Sequence, residues 1–175
     1  MPVHYYPIMR RNPVCFIWAL FFFNTLTAQG KFAGSMKKLI GKAFADSKKI
    51  EGLSGWSFSE GTVITPIDDP EMITVDLFSR GTTRLVILGY KEDTAFKKFD
   101  IADVLEIKNV PAGWQVKTSV CRQNKQEDLE IVALVKNAKT TYFTVVKQAW
   151  RLNRDKKRIE GISIRGIDCL NEGFN

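Results

Sequence analysis

Histidine is almost missing from this chain: of 175 residues only His4 is one. Cysteine is scarce, with Cys15, Cys121 and Cys169, and no asparagine is followed two positions later by serine or threonine. Each shortage excludes something. Ser-His-Asp and Cys-His catalysis need an imidazole base, so a chain that loses His4 can build neither, nor a histidine-containing zinc site. The missing sequon removes N-glycosylation and favours a bacterial envelope over a eukaryotic secretory route. Long apolar runs are also lacking. The longest, Val14 to Phe23, falls short of the roughly 20 residues that cross a bilayer.

That run carries an address. Arg10 and Arg11 precede it and Leu26-Thr27-Ala28 follows with small residues, the order of a secretory signal peptide. Cleavage after Ala28 is expected, leaving residues 29–175 as one globular domain of ordinary size with no transmembrane span. Cys15 precedes the end of the apolar stretch, whereas a lipoprotein cysteine would stand at the cut. Removal of Arg10 and Arg11 lowers the formal charge from +7 to +5, a moderate basicity that attracts anionic surfaces without selecting one. The predicted location is secreted or periplasmic.

Only Cys121 and Cys169 then remain, and an oxidising compartment would pair them. On the chain-entropy model a loop of this length stabilises the fold by roughly 4 kcal/mol.

The periodicity predicts an α+β fold. Met36, Leu39, Ile40, Ala43 and Phe44 recur at helical steps, with Ser35 as N-cap and Gly52 as stop, so an N-terminal helix is expected to pack on a sheet. Lys37, Lys38, Lys42, Lys48 and Lys49 would occupy its solvated faces. Met72 to Phe78 and the continuous run Leu85-Val86-Ile87-Leu88 read as strands joined by a turn at Ser79-Arg80-Gly81-Thr82. Strands at 114–122, 129–136, 141–152 and 158–169 follow with short polar turns, which predicts a mostly antiparallel meander. A flat meander would hold Cys121 and Cys169 three strands apart, too far for a disulfide. Ile162 and Ile164 also differ in parity from Ile167 and Cys169. The chain after Gly166 is therefore expected to leave the sheet and fold back.

No glycine-rich phosphate loop is present, since Gly52-Leu53-Ser54-Gly55 lacks the spacing and the lysine, and no cofactor or metal site is expected. Asp68, Asp69 and Glu71 form the densest acidic cluster, which suits a turn around Pro70 or, alternatively, the carboxylate pair of a glycoside hydrolase. Asp168, Asn171 and Glu172 suit a solvated tail or a cation. Lys147, Arg151, Arg154, Lys156, Lys157 and Arg158, with Trp150 among them, are the candidate ligand-binding residues. Interleaved charge and aromatic surface suits an acidic glycan or a single strand of nucleic acid, although no specific nucleic-acid partner is expected. The opposing interpretation is a solvated turn with Trp150 in the core.

These observations favour a small non-catalytic binding or envelope-assembly module whose partner is an envelope glycan or protein. A carboxylate-dependent polysaccharide hydrolase and a basic binder of anionic surfaces are the alternatives.

Overall fold

Two strands with apolar residues on both faces set the architecture. The computed structural model describes residues 36–66, 69–91 and 98–174, so the proposed signal peptide lies outside the described residues. Strands β3 (Met72–Arg80) and β4 (Thr83–Lys91) form a hairpin across Gly81, whose φ of +56° suits the first central position of a two-residue turn. They are the middle of the first sheet. Its remaining strands are β1 (Ala43–Phe44), β2 (Ser57–Val63) and β5 (Phe99–Ile107), in the order β1-β5-β4-β3-β2.

A second sheet packs on one face of the first. It contains β6 (Trp114–Thr118), β9 (Ile131–Lys136), β11 (Val146–Asn153) and β12 (Arg158–Ile162), an antiparallel meander ordered β12-β11-β9-β6. Val75, Leu77, Val86, Leu88, Leu105 and Ile107 meet Val116, Val132, Leu134, Trp150 and Leu152 across this interface. Residues of opposite parity, Phe78, Leu85, Ile87 and Val104, together with Ile101, which a register shift in the β4–β5 pairing turns to the same side, form a second core on the outer face of the first sheet.

Strands β7 (Cys121–Gln123), β8 (Gln126–Glu127), β10 (Tyr142–Phe143) and β13 (Ile167–Leu170) make a third sheet, ordered β10-β13-β7-β8. It covers the outer face of the second, where Cys121, Phe143, Ile167 and Cys169 pack on Ile131, Ala133, Val135 and Ala149. The third sheet consists of the connections and the tail of the second. Several predicted strands are thus pairs of strands that change sheet at a corner. The 114–122 strand breaks at Ser119 (φ +58°) and the 158–169 strand breaks before Gly166 (φ +74°). At Gly166 the positive φ favours glycine, and a Cβ there would also have to displace the Asn124 side chain, whose Oδ1 would lie 2.3 Å away.

This corner resolves the disulfide geometry. Once β13 has left the second sheet it pairs with β7, and Cys169 stands in register with Cys121. Leu170 N donates to Val120 O at 2.8 Å, which makes 121/169 a non-hydrogen-bonded pair, the type in which facing side chains are closest. The Cys121–Cys169 disulfide closes there.

The α+β expectation is wrong at the N-terminus. Residues 36–53 form no α-helix but a 3-10 turn at Met36–Leu39, strand β1, and a second 3-10 turn at Ser47–Lys49 capped by Asp46, whose Oδ1 accepts from Lys48 N at 3.0 Å. Among the described residues the fold is almost entirely β. The cause is Gly41, which adopts φ +81° and ends the first turn. Its N–H then donates to Ile101 O at 2.8 Å, and Ile101 N donates to Lys42 O at 2.9 Å, so this backbone completes the sheet edge. Met36, Leu39 and Phe44 are buried as the helical stripe required, together with Ile50 and Leu53. Ile40, a stripe position, is 42% exposed. Gly89 helps to admit this layer, because a Cβ there would press on Thr74 Oγ1 and the Phe44 ring.

Asp103 fastens the first two sheets at one edge. Its Oδ1 accepts from Val104 N and its Oδ2 from Ile159 N of β12, each at 2.8 Å and buried. Replacing Asp103 with alanine orphans the Ile159 amide and should lower unfolding free energy by about 1–3 kcal/mol in urea titrations. The Cys121→Ala/Cys169→Ala double variant should lose about 2–4 kcal/mol in the same titrations. Equal stability of that variant and oxidised wild type would show that sheet pairing alone holds the third sheet.

Candidate functional site

At one open end of the interface between the first two sheets, three distant segments converge. The parity that sends Val86 and Leu88 toward the second sheet also sends Tyr90, near the end of β4, into this mouth. Opposite it, β11 runs into β12 through a turn in which Asn153 Oδ1 accepts from Lys156 N at 3.0 Å and Lys157 N donates to Arg154 O at 3.1 Å. Lys157 has φ +51°, which places its ammonium 3.6 Å from the Tyr90 ring centroid. Left-handed lysine is uncommon, and the cation–ring contact helps to offset its cost. The third segment precedes β3: Asp69 Oδ2 accepts from Arg154 Nη2, and Asp69 Oδ1 accepts from Glu71 N at 3.0 Å.

Ile73, Leu88 and Leu152 lie at the base of this crevice with Asn153, Arg154 and Lys157 beside them; Ile73, Leu88, Leu152 and Tyr90 are all buried, so in this conformation the side chains close it. The Glu71 amide, followed by Arg154, holds the Asp69 carboxyl below its ordinary range. The Tyr90 phenol is raised first by burial and then by its hydrogen bond with Glu71, while Lys157 pulls it the other way.

The structure divides the sequence candidates. Arg154 and Lys157 share this mouth. Trp150 is buried between the first two sheets, 7% exposed. Arg151, one position on and so on the opposite face, reaches Asp128 and Gln123 at 2.7 and 3.0 Å and Glu130 at 3.6 Å. Lys147 lies at a bulge of β11, its Nζ 5.8 Å from the Trp114 ring. Lys156 pairs with Glu160 at 3.0 Å, and Arg158 is exposed at the start of β12. These residues form no single basic stripe.

Among the described residues the other aromatics also offer little open platform: Arg80 stacks on Trp56 and Arg122 on Tyr142. The C-terminal polar residues are tied down. Asp168 is bidentate with Arg122, Glu172 pairs with Lys117, and Asn171 donates to Ala138 O and Thr140 O. Asp68 lies outside the described residues, and no group of three or more potential metal-ligating side chains occurs among those described.

A second unusual group, absent from the sequence candidates, sits on the outer face of the first sheet. Asp76 is only 3% exposed. Its Oδ1 accepts from Ser47 Oγ at 2.9 Å, while its Oδ2 has no partner among the described residues. Burial pushes its pKa up to about 6, only partly offset by the Ser47 hydroxyl. Its signal in the sequence was an acid inside a strand whose neighbours are apolar on both faces.

Comparison with protein-family models, with curated proteins and with solved structures finds no match to this chain. Among the described residues no helix is long and apolar enough to cross a membrane.

Asp76 makes stability depend on pH with a definite sign. Its folded pKa lies above the unfolded value, so the folded state binds the proton more tightly, and the contribution is complete below about pH 4 and lost as pH rises through 6. The upward shift corresponds to about 3 kcal/mol. Urea titrations from pH 4 to 7.5 should show wild type losing about that much relative to Asp76→Asn. Parallel pH profiles for the two proteins would contradict the assignment.

Proposed function

We propose that the chain is a disulfide-stapled, non-catalytic binding module of an oxidising compartment, secreted or periplasmic after loss of residues 1–28. Its contact surface is the mouth around Tyr90, Arg154 and Lys157, and its partner is an acidic envelope glycan. The supporting observation is the meeting of Arg154 and Lys157 with Tyr90 and Asn153 over an apolar floor between two sheets. Cations there attract carboxylate groups, and the guanidinium can exchange Asp69 for a ligand carboxylate with similar geometry, while Asn153, bonded to Glu160 and Lys156, holds the turn that carries them. The Cys121–Cys169 bond supports the compartment, since such bonds persist where thiols are not kept reduced.

A hydrolase is less well supported. A general acid needs a raised pKa, and Asp69 is shifted the other way. Asp76, which does have a raised pKa, lies beneath the N-terminal layer on the opposite face of the first sheet.

Calorimetric titration of residues 29–175 with alginate oligosaccharides and with neutral dextran tests the proposal. Alginate should bind saturably and dextran should not, and Arg154→Ala/Lys157→Ala should weaken alginate binding at least tenfold while leaving the melting transition cooperative. Undiminished affinity in that variant removes the mouth from the proposal. Release of reducing ends from alginate by wild type would replace the non-catalytic assignment with the hydrolase.

A further inference from the structure

We propose that residues 36–53 form a proton-latched cover on the outer face of the first sheet, closed while the Asp76 carboxyl is neutral and loosened when it ionises. The geometry is that of a thin layer over a poorly solvated acid. Apart from the short pairing of β1 with β5 and the Gly41 and Lys42 backbone bonds to Ile101, the cover is held by Met36, Leu39, Phe44, Ile50 and Leu53. Its second turn lies over Asp76, and Ser47 from that turn donates to Oδ1.

The surroundings offer the acid little else. Gly61 faces it from β2, where a Cβ would lie 2.3 Å from Oδ1 and 3.1 Å from the Phe58 ring, and Ile87 faces it from β4. Thr74 Oγ1, on the same face of β3, is buried and likewise has no partner among the described residues. A neutral carboxyl in such a place leaves one weak polar atom unsatisfied, whereas an ionised one leaves a desolvated charge with a single hydroxyl donor. Water can reach that charge only if the cover moves.

The other charged groups on the packed elements are engaged elsewhere or, like Lys38 and Asp100, exposed, and on the cover Lys42 lies 3.9 Å from Glu51. On the cover, Asp46 caps the turn and pairs with Lys49 at 3.6 Å, and Lys48 stands 5.5 Å from the Phe58 ring centroid. Glu60 of β2 accepts from Thr118 of the second sheet at 2.7 Å. On β3, Arg80 stacks on Trp56; on β4, Arg84 donates to the Gly81 and Thr83 carbonyls and Lys91 stands over Phe99. On β5, Asp103 is held by Val104 N and Ile159 N, and Glu106 Oε2, buried without a hydrogen bond among the described residues, stands 3.9 Å from the Lys108 ammonium. Lys48 is the group whose movement would reverse the sign, because an ammonium swung from Phe58 onto an ionised Asp76 would tighten the cover.

Hydrogen exchange read by mass spectrometry on residues 29–175 at pH 5 and pH 8, corrected for intrinsic exchange, separates these cases. Protection of amides 39–53 should fall at least tenfold from pH 5 to pH 8 in wild type, while β9 amides remain protected. In Asp76→Asn the cover should be equally protected at both values. Protection that is constant or rises with pH in wild type, or the same fall in Asp76→Asn, overturns the latch. Should that variant not fold, carbon-13 titration of the wild-type Asp76 carboxyl replaces it. A midpoint shared with the shifts of the cover amides supports the latch, and separate midpoints overturn it.

Discussion

Two sheets that are apolar on both faces impose the rest of this structure. Leu85, Val86, Ile87 and Leu88 are all at most 3% exposed, so β4 cannot turn either side to water, and the same holds for Ile131 to Val135 of β9. Packing the sheets on each other buries only two of their four faces. The remaining two must be covered from the chain that is left. The N-terminal segment covers one, and the short strands that branch from the connections of the second sheet cover the other.

Thin layers bury little area each and need additional ties. In the third sheet these are covalent and ionic: the disulfide joins β7 to β13, and beside it Arg122 grips Asp168 with two hydrogen bonds of 2.7 and 2.8 Å while stacking on Tyr142 from β10. One guanidinium thereby links three of the four strands. The N-terminal cover has no covalent tie to the sheet, and its hydroxyl contact ends on an under-solvated acid. The two covers therefore differ in kind. The first is locked by bonds that do not depend on pH near neutrality, and the second rests on apolar contact, a short edge pairing with β5 and one titratable group.

How much of this was legible follows from which signals are local. The double burial of β4 could be read from four consecutive apolar residues, and the departure of the chain at Gly166 from a parity conflict. Both are patterns within a dozen residues. At the N-terminus Met36, Leu39 and Phe44 are spaced for a helix and also for a turn followed by a strand, and what decides between them is the distant Ile101 that bonds to Gly41 and Lys42. Arg151 and Arg154 looked alike as basic residues near a hairpin. Their separation onto different surfaces needs the alternation of β11 together with knowledge of what covers each face. The pairing of Arg154 with Asp69 joins residues 85 apart, and no local pattern announces it. Asp76 was overlooked because an acid in a strand is ordinarily solvated, an assumption that fails once both faces of that strand are covered.

The two chemically distinctive places share the same hairpin back to back. Ile73 pairs with Tyr90 and Thr74 with Gly89, so the first pair faces the mouth and its floor and the next pair faces the side of the covered acid. Alternation alone would suggest that a change on one side reaches the other. The pairing argues for independence. Strand β3 is bonded to β2 and β4, and β4 to β3 and β5, so shifting the backbone under Asp76 would break ladder bonds on both sides, whereas moving the cover breaks the Ser47 hydroxyl bond, the short pairing of β1 and its neighbours with β5, and apolar contacts. The outward displacement breaks fewer ladder bonds, because β1 pairs with β5 over two residues only. A central sheet clamped on both edges thus lets its outer face respond to protons while its inner face keeps the geometry that Tyr90, Arg154 and Lys157 require.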